Sequence, residues 1–194
     1  MFLLKLIALP LFFGLSMLTT AQEVEPVNES AFQIDSVHST AIFKAHHLGA
    51  GMFYGRFNDV TGTIQVDNGM PVFAVSIAID SVDTNSTRLD GHLKSPDFFN
   101  AVEFPTMMFK SNSSTLIGGK TYEVIGEITM HGITKPLTVQ MVKTGQVKNR
   151  RGEMIGYETE FNLARSDFGM LYGIEGGSLS DEIKVIVALE AVRK

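Results

Sequence analysis

Between Val72 and Asp80 the chain alternates strictly, with Phe73, Val75, Ile77 and Ile79 on one face of an extended segment and Val72, Ala74, Ser76, Ala78 and Asp80 on the other. This is the pattern of a strand with one apolar face. The same period of two recurs in Phe32 and Ile34; in Ala41, Phe43 and Ala45; in Ile64 and Val66; and in Met107 and Phe109. It continues through Tyr122, Val124, Ile128 and Met130, through Leu137, Val139 and Met141, and through Ile155, Tyr157, Phe161 and Leu163. A last run carries Ile183, Val185, Val187, Leu189 and Ala191. Eight or nine strands are predicted. Short polar stretches separate them, at Asp67-Asn68-Gly69, Gly118-Gly119-Lys120, His131 to Pro136 and Lys148 to Glu153. These lengths join antiparallel neighbours, and the crossover helices of a parallel sheet are missing. An open sheet of this kind would leave two edges and an apolar face in water. Such a sheet closes on itself or folds into a sandwich, and closure is preferred: the fold class expected is all-β, a single antiparallel eight-stranded, or nine-stranded, barrel.

One long segment, Ser81 to Pro105, breaks the alternation. Asn85 or Ser86 can cap a short helix there, and Ser95-Pro96-Asp97 supplies a cap, a first-turn Pro and an acid for the helix dipole. One or two short helices are expected. Phe98 and Phe99 follow at once and must face something buried, so the segment is read as a lid over one barrel end.

The N-terminus follows a different grammar. Lys5 precedes an apolar run from Leu6 to Leu18, which is about 13 residues against the roughly 20 needed to span a bilayer, and Thr19 and Ala21 stand where a signal peptidase reads. Residues 1–21 are expected to be a signal peptide, removed on export. Residues 22–30 are read as an acidic, polar lead-in, and 31–194 as one barrel domain. The periplasm is the expected compartment, with full secretion left open. The chain holds no Cys, so disulfides and thiolate metal sites are excluded and stability must come from packing and strand pairing. A formal charge of -5 over 194 residues argues against nucleic-acid binding.

The positions assigned inward are rich in Phe and Met: Phe43, Phe73, Met107, Phe109, Met130, Met141 and Phe161. Adaptable Met and flat Phe suit a flexible apolar ligand, and they equally suit a packed core. Periodicity does not choose between the two.

Five His residues raise a metal reading, but there is no His-x-His or His-Glu-x-x-His pair and no Cys, so no metal site is expected. His38 and Ser39 are adjacent and face opposite sides of a regular strand, which disfavours a catalytic pair. His38 is expected to be a buried histidine at the barrel end, with Asp35 as its partner. Lys148, Arg150 and Arg151 form a basic hairpin tip, solvated or in transient contact with anionic lipid headgroups.

Several ordered motifs add a resemblance. They begin with Asp35-Ser36-Val37-His38-Ser39 and Phe43, His47-Leu48-Gly49, Gly55-Arg56-Phe57 and Gly62-Thr63-Ile64. The middle block runs from Ile79 to Asn85 and from Arg88 to Phe99, with Phe104-Pro105. Gly126 to Pro136, Arg165-Ser166-Asp167-Phe168-Gly169 and a final strand ending Leu189-Glu190-Ala191 complete the set. In this order the chain resembles the YceI-like family of exported lipid-binding proteins. The resemblance implies a lipocalin-like barrel whose elongated pore holds one long apolar molecule, such as a polyisoprenoid, a quinone tail or a fatty amide. No other cofactor is expected.

On that reading Phe57 and Phe168 join the seven residues above as the apolar lining, and Phe98 and Phe99 form the lid. His38, Arg88, His92, Arg165 and Asp167 are candidates either for meeting a ligand head group or for locking loops. The function expected is a carrier or sequestering protein rather than an enzyme. A lipid-modifying enzyme and a ligand-free barrel that docks a partner are the alternatives, and a homodimer is left open.

Overall fold

The computed structural model describes residues 31–150 and 152–193. The expected signal peptide, the lead-in and Arg151 lie outside the described residues. Eleven strand segments form one antiparallel sheet: β1 (Phe32–Ile34), β2 (Thr40–His47), β3 (Gly51–Phe57), β4 (Val60–Asp67), β5 (Met70–Ala78), β6 (Val82–Asp83), β7 (Thr106–Gly118), β8 (Thr121–Met130), β9 (Ile133–Asn149), β10 (Gly152–Ala164) and β11 (Glu182–Arg193). One helix, α1 (Thr87–Leu93), lies in the segment between β6 and β7. The ring β1-β4-β5-β7-β8-β9-β10-β11 closes by pairing of β1 with β11, which makes an eight-stranded barrel.

The three remaining segments continue ring strands. Gln33 pairs with Val192 and Thr40 with Ala188, so β1 and β2 run along β11 as one strand interrupted at residues 35–39. In the same way β3 runs into β4 across Asn58 and Asp59, and β5 into β6 across a 3-10 turn at Ile79–Ser81. Three neighbouring strands are thus broken side by side. Polar groups pin the breaks: Asn58 N–H donates to Ser81 O (3.2 Å), Ala78 N–H to Asp59 O (3.0 Å), and the Ser39 hydroxyl donates to Glu190 O (3.2 Å) and accepts from Glu190 N–H (3.0 Å).

The up-and-down order sends the β4–β5, β7–β8 and β9–β10 hairpins to one end, here called lower. The β2–β3 hairpin, the 84–105 segment, the β8–β9 turn and the 165–181 segment gather at the upper end. The lower half is solid. Phe32, Ile64, Phe73, Val124, Ile155 and Tyr157 are essentially inaccessible, and the Phe73 and Tyr157 rings meet edge to face across the barrel at 5.1 Å. Burial pushes the Tyr157 phenol pKa upward, so it stays neutral. Arg193 lies 4.5 Å over the Phe32 ring and pairs with Glu153 at 2.6 Å, covering the bottom.

Some expectations shift. The strand expected to reach Ile79 ends at Ala78, because the chain turns there into the break. Of the two helices considered, only α1 forms, with Ser86 at its N-cap. Ser95-Pro96-Asp97 makes a turn whose hydrogen bonds bring Phe98 and Phe99 inward. The β8–β9 turn shrinks to His131 and Gly132, and Pro136 sits within β9 opposite Glu127.

Candidate functional site

Above the solid half the barrel is open inside. Several inward residues of the upper half, among them Ile77, Phe109, Ile128, Leu137, Phe161, Leu163, Val185 and Val187, remain partly accessible because they face empty space rather than one another. The slot they enclose, mouth included, holds about 870 Å³ free of atoms. Every lining side chain is apolar except Thr159, and its hydroxyl donates to Gln140 O at 2.9 Å. The floor is the packed layer around Phe73 and Tyr157.

Two glycines keep the slot clear. A Cβ at Gly55 on β3 would lie 2.3 Å from Phe43 Cζ, and one at Gly126 on β8 would lie 2.9 Å from Phe109 Cζ. Each ring therefore lies flat on the wall over a glycine of the next strand. A larger residue at Gly55 would turn the Phe43 ring into the slot, while at Gly126 it would first press on the β7 backbone, 2.4 Å from Lys110 O.

Seven of the nine residues expected as apolar lining are found there: Phe43, Phe57, Met107, Phe109, Met130, Met141 and Phe161. Phe73 and Phe168 are not. Phe73 points inward but belongs to the solid half, against Tyr157, while Phe168 is buried in the 3-10 turn Arg165–Phe168 that joins β10 to the upper loop. The aliphatic wall from β5, β8, β9, β10 and β11 was missing from the expected lining, although the same alternation that marks the strands marks it too.

The lid residues divide their work. Phe99 closes the slot from above, edge to face with Phe57 at 5.4 Å. Phe98 turns sideways onto the 165–181 segment, 5.1 Å from the Tyr172 ring, 5.0 Å from the His92 ring and 6.0 Å from the Arg165 guanidinium. One ring plugs and the other clasps.

None of the five polar candidates lines the slot. Arg165 is buried and donates to the carbonyls of Ser180 (3.0 Å), Met170 (3.2 Å), Tyr172 (3.2 Å) and Leu179 (3.4 Å), so it folds the upper loop around itself. Burial lowers the Arg165 pKa, and the Asp181 charge opposes that effect. Asp167 reaches Lys135 at 3.7 Å and fastens the loop to β9. His92 bonds Asp97 at 3.1 Å and stacks edge-on against Phe98 and Tyr172. Arg88 stands exposed on α1.

His38 is half-exposed rather than buried, and it sits on the wall rather than at the barrel end. Its Nδ1 lies 2.9 Å from Asp35 Oδ2 and 3.6 Å from Glu190 Oε1, clasping the β1–β2 break onto β11. The bond from His38, with support from Val37 N–H, holds the Asp35 carboxyl below the usual range. These three side chains are the one grouping among the described residues whose ligand-type atoms lie within 4.8 Å of one another.

A closed antiparallel barrel with a packed floor and an apolar hollow above it is a lipocalin-like barrel. Within that class, the chain belongs to the YceI-like family, whose domain it matches over residues 32–191. It is 34% identical over 161 residues to a UPF0312 protein of Pseudomonas paraeruginosa, covering 81% of this chain and 83% of that protein. A UPF0312 protein of Yersinia pestis is also 34% identical, over 160 residues, covering 80% of this chain and 82% of its own. Among solved structures, a Campylobacter jejuni YceI protein shares 29% identity with a TM-score of 0.69, covering 77% of this chain and 90% of that one. A polyisoprenoid binding domain from Saccharophagus degradans, implicated in plant cell wall breakdown, has the same fold at 15% identity and a TM-score of 0.65, covering 84% of this chain and 99% of its own.

Proposed function

We propose that this chain is an exported, non-catalytic carrier that holds one long-chain isoprenoid, isoprenoid quinone or fatty-acid-derived amphiphile in its slot. The observation that carries the reading is the lining itself: an apolar hollow whose only hydrogen-bonding side chain is a hydroxyl already bonded to backbone. Such a wall offers a hydrocarbon chain about 0.8 kcal/mol per buried CH₂ and gives a polar head nothing to hold. The head group then stays near the mouth, under Phe99 and the 165–181 loop. A slot lined by hydrocarbon, Met thioethers and one bonded hydroxyl, with no acid, base or imidazole, supports binding over chemistry. The polyisoprenoid binding domain named above supports the ligand class by likeness of fold. The N-terminal charge and apolar run support export to the periplasm.

Native mass spectrometry of the purified protein, before and after organic extraction, tests this. A co-purified lipid of unchanged mass is expected, and the extracted protein should take up geranylgeraniol. Failure to hold any extractable lipid together with failure to take up that alcohol overturns the carrier. A modified product accumulating with time overturns the non-catalytic part.

The lid gives a kinetic prediction. Removing both rings by Phe98→Ala and Phe99→Ala takes away the plug over the slot and the clasp on the upper loop. Release of bound geranylgeraniol to acceptor vesicles is expected to accelerate by about tenfold or more, the equivalent of about 1.4 kcal/mol. Unchanged uptake and release rates would remove the lid from the mechanism.

A further inference from the structure

From Ser36 to Asn58 the chain has no Asp or Glu, although it holds 21 of them elsewhere. This acid-free stretch contains Lys44, His46, His47 and Arg56, and it builds the β2–β3 hairpin. The hairpin register sets Ile42 opposite Arg56, Lys44 opposite Tyr54 and His46 opposite Met52. These three pairs share one face. The alternate residues Phe43 and Phe57 point into the slot.

The outward face is unusually apolar for one that meets water. Met52 is 56% exposed and Tyr54 is 55% exposed, while Leu48 at the tip reaches 65%. Leu171, on the adjoining upper loop, is 62% exposed. Pairing of β2 with β11 stops at Lys44, so the hairpin rises above the barrel rim. It is nevertheless firmly held. Leu48 N–H donates to Ser178 O, Ser180 N–H to His46 O, and His46 N–H to the Ser180 hydroxyl, each at 2.9 Å.

We propose that this hairpin docks the barrel's mouth onto an anionic lipid bilayer. The proposal rests on the reading of the slot as a lipid site and names the surface with which it exchanges its ligand. Charge complementarity selects the occupant: cations and a Tyr interleaved with large apolar side chains, with no acid within the hairpin itself, match a headgroup region that is negative outside and apolar beneath. Leu48 and Met52 enter the boundary of headgroups and chains, while Lys44 and Arg56 remain with the phosphates. Arg56 also meets Asp83 at 3.6 Å and is the weaker of the two. The position adds direction. The lower end also exposes Leu116 and Ile117 beside Lys120, and Val147 beside Lys148 and Arg150, but the packed core separates that end from the slot.

Flotation of the purified mature protein, residues 22–194, with vesicles of phosphatidylcholine containing phosphatidylglycerol, compared with phosphatidylcholine alone, tests the proposal. Wild-type protein is expected to float with the anionic vesicles and to lose binding as salt rises. The double variant Leu48→Glu, Met52→Glu should bind at least about tenfold more weakly. Both side chains are exposed, so the variant should fold, and circular dichroism checks that it has. The variant Leu116→Glu, Ile117→Glu should float like wild type. Absence of wild-type flotation, or equal loss in the two variants, overturns the proposal. So does concentration-dependent self-association through the hairpin, abolished by the first variant, with no vesicle binding. Uptake of geranylgeraniol by the hairpin variant in vesicle-free solution separates the two readings: retained uptake with lost flotation leaves the slot intact and assigns docking to the hairpin.

Discussion

Replacing Val187 with Trp is expected to abolish lipid uptake while leaving the barrel folded. Val187 faces the middle of the slot, and its neighbours on the adjacent strands are Ala41 and Thr159, both small. An indole there meets empty space rather than packed atoms, so the usual penalty for overfilling a core does not arise. It does obstruct the route of a long chain. Excluding only four methylenes at about 0.8 kcal/mol each weakens binding by roughly 100-fold or more. The native chain contains no Trp, which supplies a second readout. The single indole should emit at short wavelength in a dry surrounding, and its emission should not respond to added geranylgeraniol. Val187→Trp protein that binds the alcohol as tightly as wild type would place the ligand somewhere other than this slot.

Arg165→Met is expected to cost much of the upper loop's stability. One buried guanidinium satisfies four carbonyls that belong to the same upper loop. Met restores much of the side-chain volume but none of the donors, so carbonyls folded inward lose their partners. A cost of about 3 kcal/mol is expected, because bonds to charged groups are worth more than neutral ones and unpaired buried acceptors are penalised in full. Arg165→Lys should recover little, since one ammonium cannot span the positions that a planar fork reaches. Urea denaturation gives the measurement: a lower midpoint with the slope retained. A midpoint within experimental error of wild type would mean that the loop is held by its Asp167–Lys135 and Ser166–Asp181 contacts instead.

The strands were readable because burial on one side of a sheet imposes alternation locally, and each run from Phe73 onward carried that signal. Division of the interior was not readable. Phe43 and Phe73 have the same residue type and the same inward parity, but one lies flat over Gly55 and the other meets Tyr157 across the barrel. That difference is set by partners far away in sequence. Register between strands, which no single segment encodes, decides which ring leaves room and which fills it. His38 was misplaced for a related reason. Its partner Asp35 was evident from spacing, but the interruption that turns both outward beside Glu190 depends on how β11 runs past them. Arg165 was named from its motif as a head-group or loop residue; choosing between these required the four carbonyls around it.

The seam between β1 and β11 joins the first described strand to the last. A polypeptide emerging from the ribosome therefore cannot seal this cylinder until the twelve residues of β11 have been made. Contacts of such long sequence separation form late, so the nascent chain stays threadable throughout its synthesis. Closure waits for β11, a delay that suits the export proposed above.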